Sequence, residues 1–261
     1  MSTGATKSVV RATAFAALLI AACGAGETCA AEVRLLSAAA IQSVFKNVAG
    51  AFERTSGHKL VISYGTIGAI AQRVQGGESA DVVIGSSLSM PPLVKDGKID
   101  GASLVTVCTT GIGMVVPVPD AVPPLTSADD FIAAVTSAKV VVYADPVRGG
   151  AAGVHIGRVL QRLGVADKLK AQITLAAGGD VYEVTLAQGS GALGMTQVSE
   201  IVGKPGGTFV GPLPDGLQNY TVFVAGVPAG AAPSQAVRAF FDFLASPTAV
   251  AAIKASGMQI E

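Results

Sequence analysis

The stretch SYGTIGAIAQRVQGGESADVVIGSS, residues 63–87, decides the fold. It starts as a strand, turns through Gly65, Thr66, Ile67 and Gly68, and continues as the helix-like run AIAQRV. Gly76 and Gly77 stop that run, and after Asp81 the apolar DVVIGSS reads as a second strand. A strand, a helix and a second strand in so short a span predict a parallel pairing with the helix packed across it. The turn itself has a chemical consequence. The first backbone N–H groups of a helix have no partner inside it, so a glycine- and threonine-rich turn that opens a helix is a ready seat for an anion.

The same alternation extends outward. EVRLLSA precedes the helix pattern IQSVFKNVAGAFERTSG, HKLVISYG leads into the quoted stretch, and LSMPPLVKDGKI follows it. A second set comprises KVVVYADP, GVHIGRVLQRLG, QITLAAGG, VYEVTLAQGSG, ALGMTQVSEIVG and TFVGPLP. Two longer strand candidates, SLVTVCTTGIGMVVPV and NYTVFVAGVP, separate the sets. The chain then closes on helical SQAVRAFFDFLASPTAVAAIKASGM, with Phe240, Phe241, Phe243 and Leu244 as a core face. The expected fold class is α/β, with two parallel-sheet lobes joined by a two-strand hinge. Residues 32–108 and 222–261 would form one lobe and residues 109–221 the other. Ligands of open α/β sheets sit at the carboxyl ends of strands, which directs attention to a cleft between the lobes.

Composition fits this architecture. The 261 residues are half hydrophobic and 14% charged, with 32 glycines and no tryptophan, enough apolar material for a sizeable core. Formal charge is zero, without the basic excess of a nucleic-acid surface. The first 31 residues differ from the rest. Lys7 and Arg11 precede ATAFAALLIAACGAG, and small residues follow up to Ala31. A basic start, a short apolar run and a small-residue boundary read as a secretory signal cleaved near Ala30 or Ala31, which places the protein in the periplasm. IAAC ending at Cys23 also fits a lipoprotein processing site that would leave the chain lipid-anchored. Cys23 and Cys29 fall in the leader, so Cys108 alone remains, read as a small core residue of a strand with no disulfide.

Several strand ends carry small or hydroxyl-bearing residues suited to anions. They include Ser37, Ala39 and Ala40; Thr66 and Gly68; Ser86 and Ser87; Gly150; Gly179; and Gln197. Simple turn and cap chemistry explains any one of them as well; together they point to a site. Arg148 is the cation among these turns, and a guanidinium matches a carboxylate in two-pronged fashion, although a solvated surface arginine reads equally well. Tyr220, at the start of the second linking strand, reaches the cleft from the hinge or packs in the core. For acid–base work the candidates are Glu183, Glu200, His155 and Tyr220. Helix-surface ion pairing is the default for both glutamates, and a structural role the default for His155. No Cys/His or carboxylate cluster has metal-ligand spacing, and no nucleophile elbow or phosphate loop is present, so no metal and no cofactor are expected.

Taken in order, LLSAAAIQSVFKNVAGAFERTSGHKLVISYG, AQRVQGGESADVVIGSS, the segment from ADP to AAGVHIGRVLQRLG, YTVFVAG and FFDFLASPTAVAAIKASGM resemble the molybdate-binding proteins of ABC transporters. More broadly, they resemble the type 2 periplasmic binding proteins. That resemblance covers nearly the whole chain after residue 31. It implies a monomer with a ligand clamped between two lobes, and a membrane permease as partner. The oxyanion-coordinating positions do not carry over. Ala40 and Ile67 stand where the family has serines, and Gln197 where it has a clasping tyrosine. Losing those hydroxyls argues for a small organic carboxylate in place of molybdate. The chain is also similar to a periplasmic aconitate isomerase. That likeness implies an allylic proton shift converting trans-aconitate to cis-aconitate, by a base that takes the proton and an acid that returns it.

Overall fold

The computed structural model describes Met1, residues 30–230 and residues 232–260. Most of the expected leader, with Cys23 and Cys29, lies outside the described residues. No single described helix is long and apolar enough to cross a membrane.

The chain runs β1 (Glu32–Ala38), α1 (Gln42–Ser56), β2 (Lys59–Gly65), α2 (Ile67–Gln75), β3 (Val82–Ser86), α3 (Met90–Lys95) and β4 (Val105–Thr110). It continues as β5 (Ile112–Pro117), α4 (Ala128–Ser137), β6 (Val140–Ala144), α5 (Ala151–Arg162), α6 (Ala166–Leu169), β7 (Ile173–Ala176), α7 (Val181–Ala187), β8 (Ala192–Gln197) and β9 (Gly207–Pro212). The last elements are β10 (Thr221–Gly226), α8 (Gln235–Leu244) and α9 (Pro247–Ala255). Two five-stranded sheets result, in the orders β2-β1-β3-β10-β4 and β7-β6-β8-β5-β9, each at the heart of one lobe.

Both sheets are mixed, which corrects the expectation of parallel lobes. Within each βαβ unit the strands are parallel, as with β1 against β2 and β3 and β6 against β7 and β8. Strand β10 pairs antiparallel with β3 and β4, and β5 does so with β8 and β9. The cause is topological. Strands of the βαβ units run toward the cleft, whereas β5 and β10 enter their sheets from the cleft side and run the other way.

The run 105–117 is two strands, not one long strand. It crosses between lobes at Gly111, where a Cβ would press within 3.1–3.3 Å of the Gln218 amide. That amide belongs to the second crossing. Gln218 Oε1 accepts from the Ile112 N–H at 2.8 Å, and Nε2 donates to the Ile112 carbonyl at 2.9 Å. The two crossings are thereby stapled side by side.

Local signals explain the helices that border the cleft. Val44, Phe45, Val48 and Phe52 give α1 one apolar face, and Gly57 closes it with a left-handed φ of 72°. Ser234 and Ser246 cap α8 and α9 by accepting from Val237 and Ala249. These C-terminal helices return to the first lobe. There Phe240 and Phe243 pack on Phe45 and Phe52 with ring centroids 5.4–6.0 Å apart. Each buried phenyl contributes about 1.5–3 kcal/mol, enough to fix α1, and hence the turn before it, against the sheet.

Candidate functional site

The cleft follows from these strand ends. From the first lobe come Ala38, Ala39 and Ala40 after β1, Gly65, Thr66 and Ile67 after β2, and Phe223 of β10. From the second come Ala144 after β6, the first turn of α5, Gly178 and Gly179 after β7, and Thr196, Gln197 and Glu200 at the end of β8. They line a cavity, partly open to solvent, with about 410 Å³ of empty space, walled largely by methyl groups and backbone.

The lobes meet at its edge. Thr66 Oγ1 donates to the Arg148 carbonyl at 2.6 Å, and the Gly68 N–H donates to the Gly149 carbonyl at 3.2 Å. The approach requires glycine, because a Cβ on Gly68 would lie 3.0 Å from the Gly149 Cα. Glycine is also required at Gly153, where a Cβ would fall 2.1 Å from the Ala144 carbonyl oxygen. Its absence lets the first turn of α5 sit directly on the end of β6.

Donors reach the cavity from backbone and amide groups. Helix α5 is preceded by Gly150, which offers no side-chain cap, so the N–H groups of Ala151, Ala152 and Gly153 have no partner within the helix, and the first helical bond is from Val154 to the Gly150 carbonyl. The turn after β1 starts at Ala38, also without a side-chain cap. In α2 much is already engaged. Thr66 Oγ1 accepts from the Ala69 N–H at 3.1 Å, and the Gly68 N–H is bound across the interface, which leaves the Ile67 N–H. No acidic residue lies in the first turn of any of these three segments. Gln197 is 4% exposed; its Nε2 donates to Thr221 Oγ1 at 3.0 Å, and its Oε1 has no partner. Turning the amide over would let Thr221 donate to Oε1 and free the NH₂ for an anion.

Among the described residues, one titratable side chain lines this cavity, that of Glu200. Thr196 Oγ1 donates to Glu200 Oε2, and a Cβ built on Gly179 would lie 4.0 Å from Glu200 Oε1. Burial pushes the Glu200 carboxyl above the usual carboxylate range, and the Thr196 hydroxyl and Lys204 oppose that shift. Glu200 also lines an outer chamber with about 860 Å³ of empty space, formed by Gln42, Ser43, Lys46, Asn47, Ser199 and Lys204 among others.

Of the residues singled out by sequence, Ala39, Ala40, Thr66, Gly150, Gly179, Gln197 and Glu200 line the cavity. The others stand elsewhere. Ser37 is fully buried in β1 with its hydroxyl toward the Ala38 carbonyl. Ser86 and Ser89 satisfy each other at the start of α3, and Ser87 is exposed. Gly68 belongs to the lobe contact. The Arg148 carbonyl takes part in closure, while its exposed side chain lines an outer cleft with Gln72, Ala69 and Val147 that shares Gly65, Thr66 and Gly178 with the cavity. Tyr220 is 56% exposed and lines neither the cavity nor the outer chamber. Of the acid–base candidates, His155 Nε2 lies 2.8 Å from the Leu217 carbonyl, and Glu183 is exposed and paired with Lys204 at 2.8 Å. Glu200 had the least distinctive sequence signal. Only its place three residues past the strand ALGMTQ marks it.

With this geometry in view, a family model described as bacterial extracellular solute-binding protein matches residues 33–259. An aconitate isomerase from Pseudomonas sp. is 30% identical over 231 residues, covering 86% of each chain. The molybdate-binding protein ModA of Azotobacter vinelandii is 27% identical over 256 residues, covering 93% of this chain and 97% of its own. Among solved structures, the Azotobacter vinelandii periplasmic molybdate-binding protein superposes with a TM-score of 0.73 at 22% identity. That match covers 88% of this chain and 99% of the other.

Proposed function

The chain belongs to the bacterial extracellular solute-binding proteins, and on that premise we propose that it captures a small organic carboxylate between its lobes in the periplasm and hands it to a membrane permease. The observation that carries the reading is the lining of the cleft. The starts of α5, α2 and the turn after β1 all border methyl-rich walls that, among the described residues, contain no cation. A compact tetrahedral oxyanion takes dense, short-range donors, and Ala40 and Ile67 bring no hydroxyl to the lining. A carboxylate with a hydrocarbon skeleton uses both parts of the lining: its oxygens meet helix termini and its carbons meet alanines, Ile67 and Phe223. Charge-assisted hydrogen bonds of about 1.5–3 kcal/mol each suffice for a micromolar complex, about 8 kcal/mol, after ordering costs. Calorimetry against di- and tricarboxylates, molybdate, tungstate and sulfate tests it. A carboxylate should bind at micromolar concentration or below. Molybdate outcompeting every carboxylate would refute the reading.

A second reading is supported by Glu200 in the cavity and by the aconitate isomerase relative. In it the captured anion is an unsaturated tricarboxylate, and the cleft isomerises it by an allylic proton shift. Conversion of trans-aconitate to cis-aconitate by purified protein tests this reading directly.

A further inference from the structure

We propose that Glu200 is the proton-transfer group of this cleft, acting on a bound unsaturated polycarboxylate first as base and then as acid. The inference rests on the second reading above and assigns the residue that reading lacks.

Four observations converge on Glu200. Among the described residues that line the central cavity, it alone has a side chain that can exchange a proton near neutral pH. The other acid–base candidates are committed elsewhere: His155 to the Leu217 carbonyl, Glu183 to Lys204, and Tyr220 to an exposed position. The Thr196 hydroxyl, donating to Oε2, fixes the carboxyl group and leaves Oε1 on the side of Gly179 and Ala39. Finally, Glu200 lines both the cavity and the outer chamber, so its proton can reach solvent without the lobes opening. Desolvation strengthens it as a base once ionised, because it lifts the carboxyl above its ordinary range.

The step balances without a co-reactant. The Glu200 carboxylate removes a proton from a methylene flanked by a carboxylate and a carbon–carbon double bond. The C–H pair forms the new double bond, and the old π pair moves to the far alkene carbon. Glu200, now the acid, protonates that carbon and is again a carboxylate. Negative charge that builds on the substrate's carboxylates during the shift faces the free N–H groups at the starts of α5 and α2, which supply fixed electrostatic stabilisation.

The test uses the full chain with trans-aconitate in D₂O, followed by proton NMR, alongside calorimetry of binding. The parent protein should bind trans-aconitate, lose its methylene signal and accumulate the cis isomer carrying deuterium. Glu200→Gln should bind within about tenfold of the parent yet lose exchange at least a hundredfold, the usual scale for general acid–base catalysis. Glu200→Asp, which keeps the carboxyl group, should retain measurable exchange. Thr196→Val removes a positioning donor that favours the ionised form, so the acid limb of its pH–rate profile should move to higher pH. A parent that binds trans-aconitate without exchange overturns this inference and leaves carboxylate capture standing. Exchange by Glu200→Gln at the parental rate overturns it as well. A protein that binds no carboxylate overturns both.

Discussion

Gly68→Ala separates closure of the lobes from stability of the chain. In the closed arrangement a Cβ at this position would stand 3.0 Å from the Gly149 Cα and 3.3 Å from the Arg148 and Gly149 carbonyl oxygens. All three are backbone atoms of the opposite lobe, so relief requires the 148–149 loop to withdraw. Withdrawal stretches the Gly68–Gly149 hydrogen bond at 3.2 Å and the Thr66–Arg148 bond at 2.6 Å. At a net value of about 0.5–1.5 kcal/mol each, closure loses about 1–3 kcal/mol. If the ligand binds to the closed form, affinity falls by about 5- to 150-fold. Folding should move the other way. Gly68 lies in the first turn of α2 with no positive φ, and alanine is favoured over glycine in a helix by up to about 1 kcal/mol. The expected result is weaker binding of the best carboxylate from the calorimetric panel, with an unliganded Tm equal to or above the parent's. Small-angle scattering should also show a larger radius of gyration in saturating ligand. Parental affinity in Gly68→Ala would refute the closed-clamp argument, and a lowered Tm would show that Gly68 serves the fold instead.

Two further predictions follow from buried groups. Burial pushes the Cys108 thiol up to about 12, so at pH 8 about one molecule in ten thousand carries a thiolate, against about a quarter for a free thiol. In a chain starting at Glu32, a thiol reagent should label Cys108 at least a thousandfold more slowly in the native protein than in denaturant, and rapid native labelling would contradict its burial against Met258. For Glu200 the folded-state pKa is raised, chiefly by burial, so the stability it contributes is full below about pH 4, near its unfolded value, and is lost as pH rises through the raised value. Glu200→Gln should therefore gain in Tm over the parent between pH 4 and pH 8, and a difference that stays constant with pH would sink this account.

Much of the fold is legible in the sequence because local chemistry and tertiary structure agree there. Thr66 reads as a cap and caps α2; Gly57 reads as a stop and ends α1. What escaped depends on partners distant in the chain. Residues 103–118 read as one strand because apolar periodicity does not record a change of sheet, and the break at Gly111 is set by Gln218 from the other crossing. Strand direction is invisible for the same reason, hence the mixed sheets. Helix α4 also went unread, although Ser127 and Asp130 spell its capping box. At the site, sequence counts hydroxyls and cations but not their commitments. Thr66, Ser86 and Arg148 all look available, yet the Thr66 and Ser86 hydroxyls are engaged by neighbouring protein atoms and the Arg148 side chain lies outside the cavity.

The joint presence of free helix termini and a carboxyl group bears on how capture and conversion relate. Two unit charges 4 Å apart at an effective dielectric of about 20 interact by about 4 kcal/mol, so an ionised Glu200 beside a bound carboxylate would forfeit much of what the N–H groups provide. A neutral Glu200 repels nothing and can donate a hydrogen bond to the same anion. Its raised pKa thus favours capture, and the ligand's own charge raises it further. A carrier requires no more than that neutral state. A catalyst must also reach the ionised state: the chamber beyond Glu200, lined by Lys46, Glu183 and Lys204, gives the departing proton a route, and the Thr196 hydroxyl and Lys204 favour the carboxylate, against burial and the Glu183 charge. The two readings therefore share one binding site and part at one proton. Glu200 decides which of them the cleft performs.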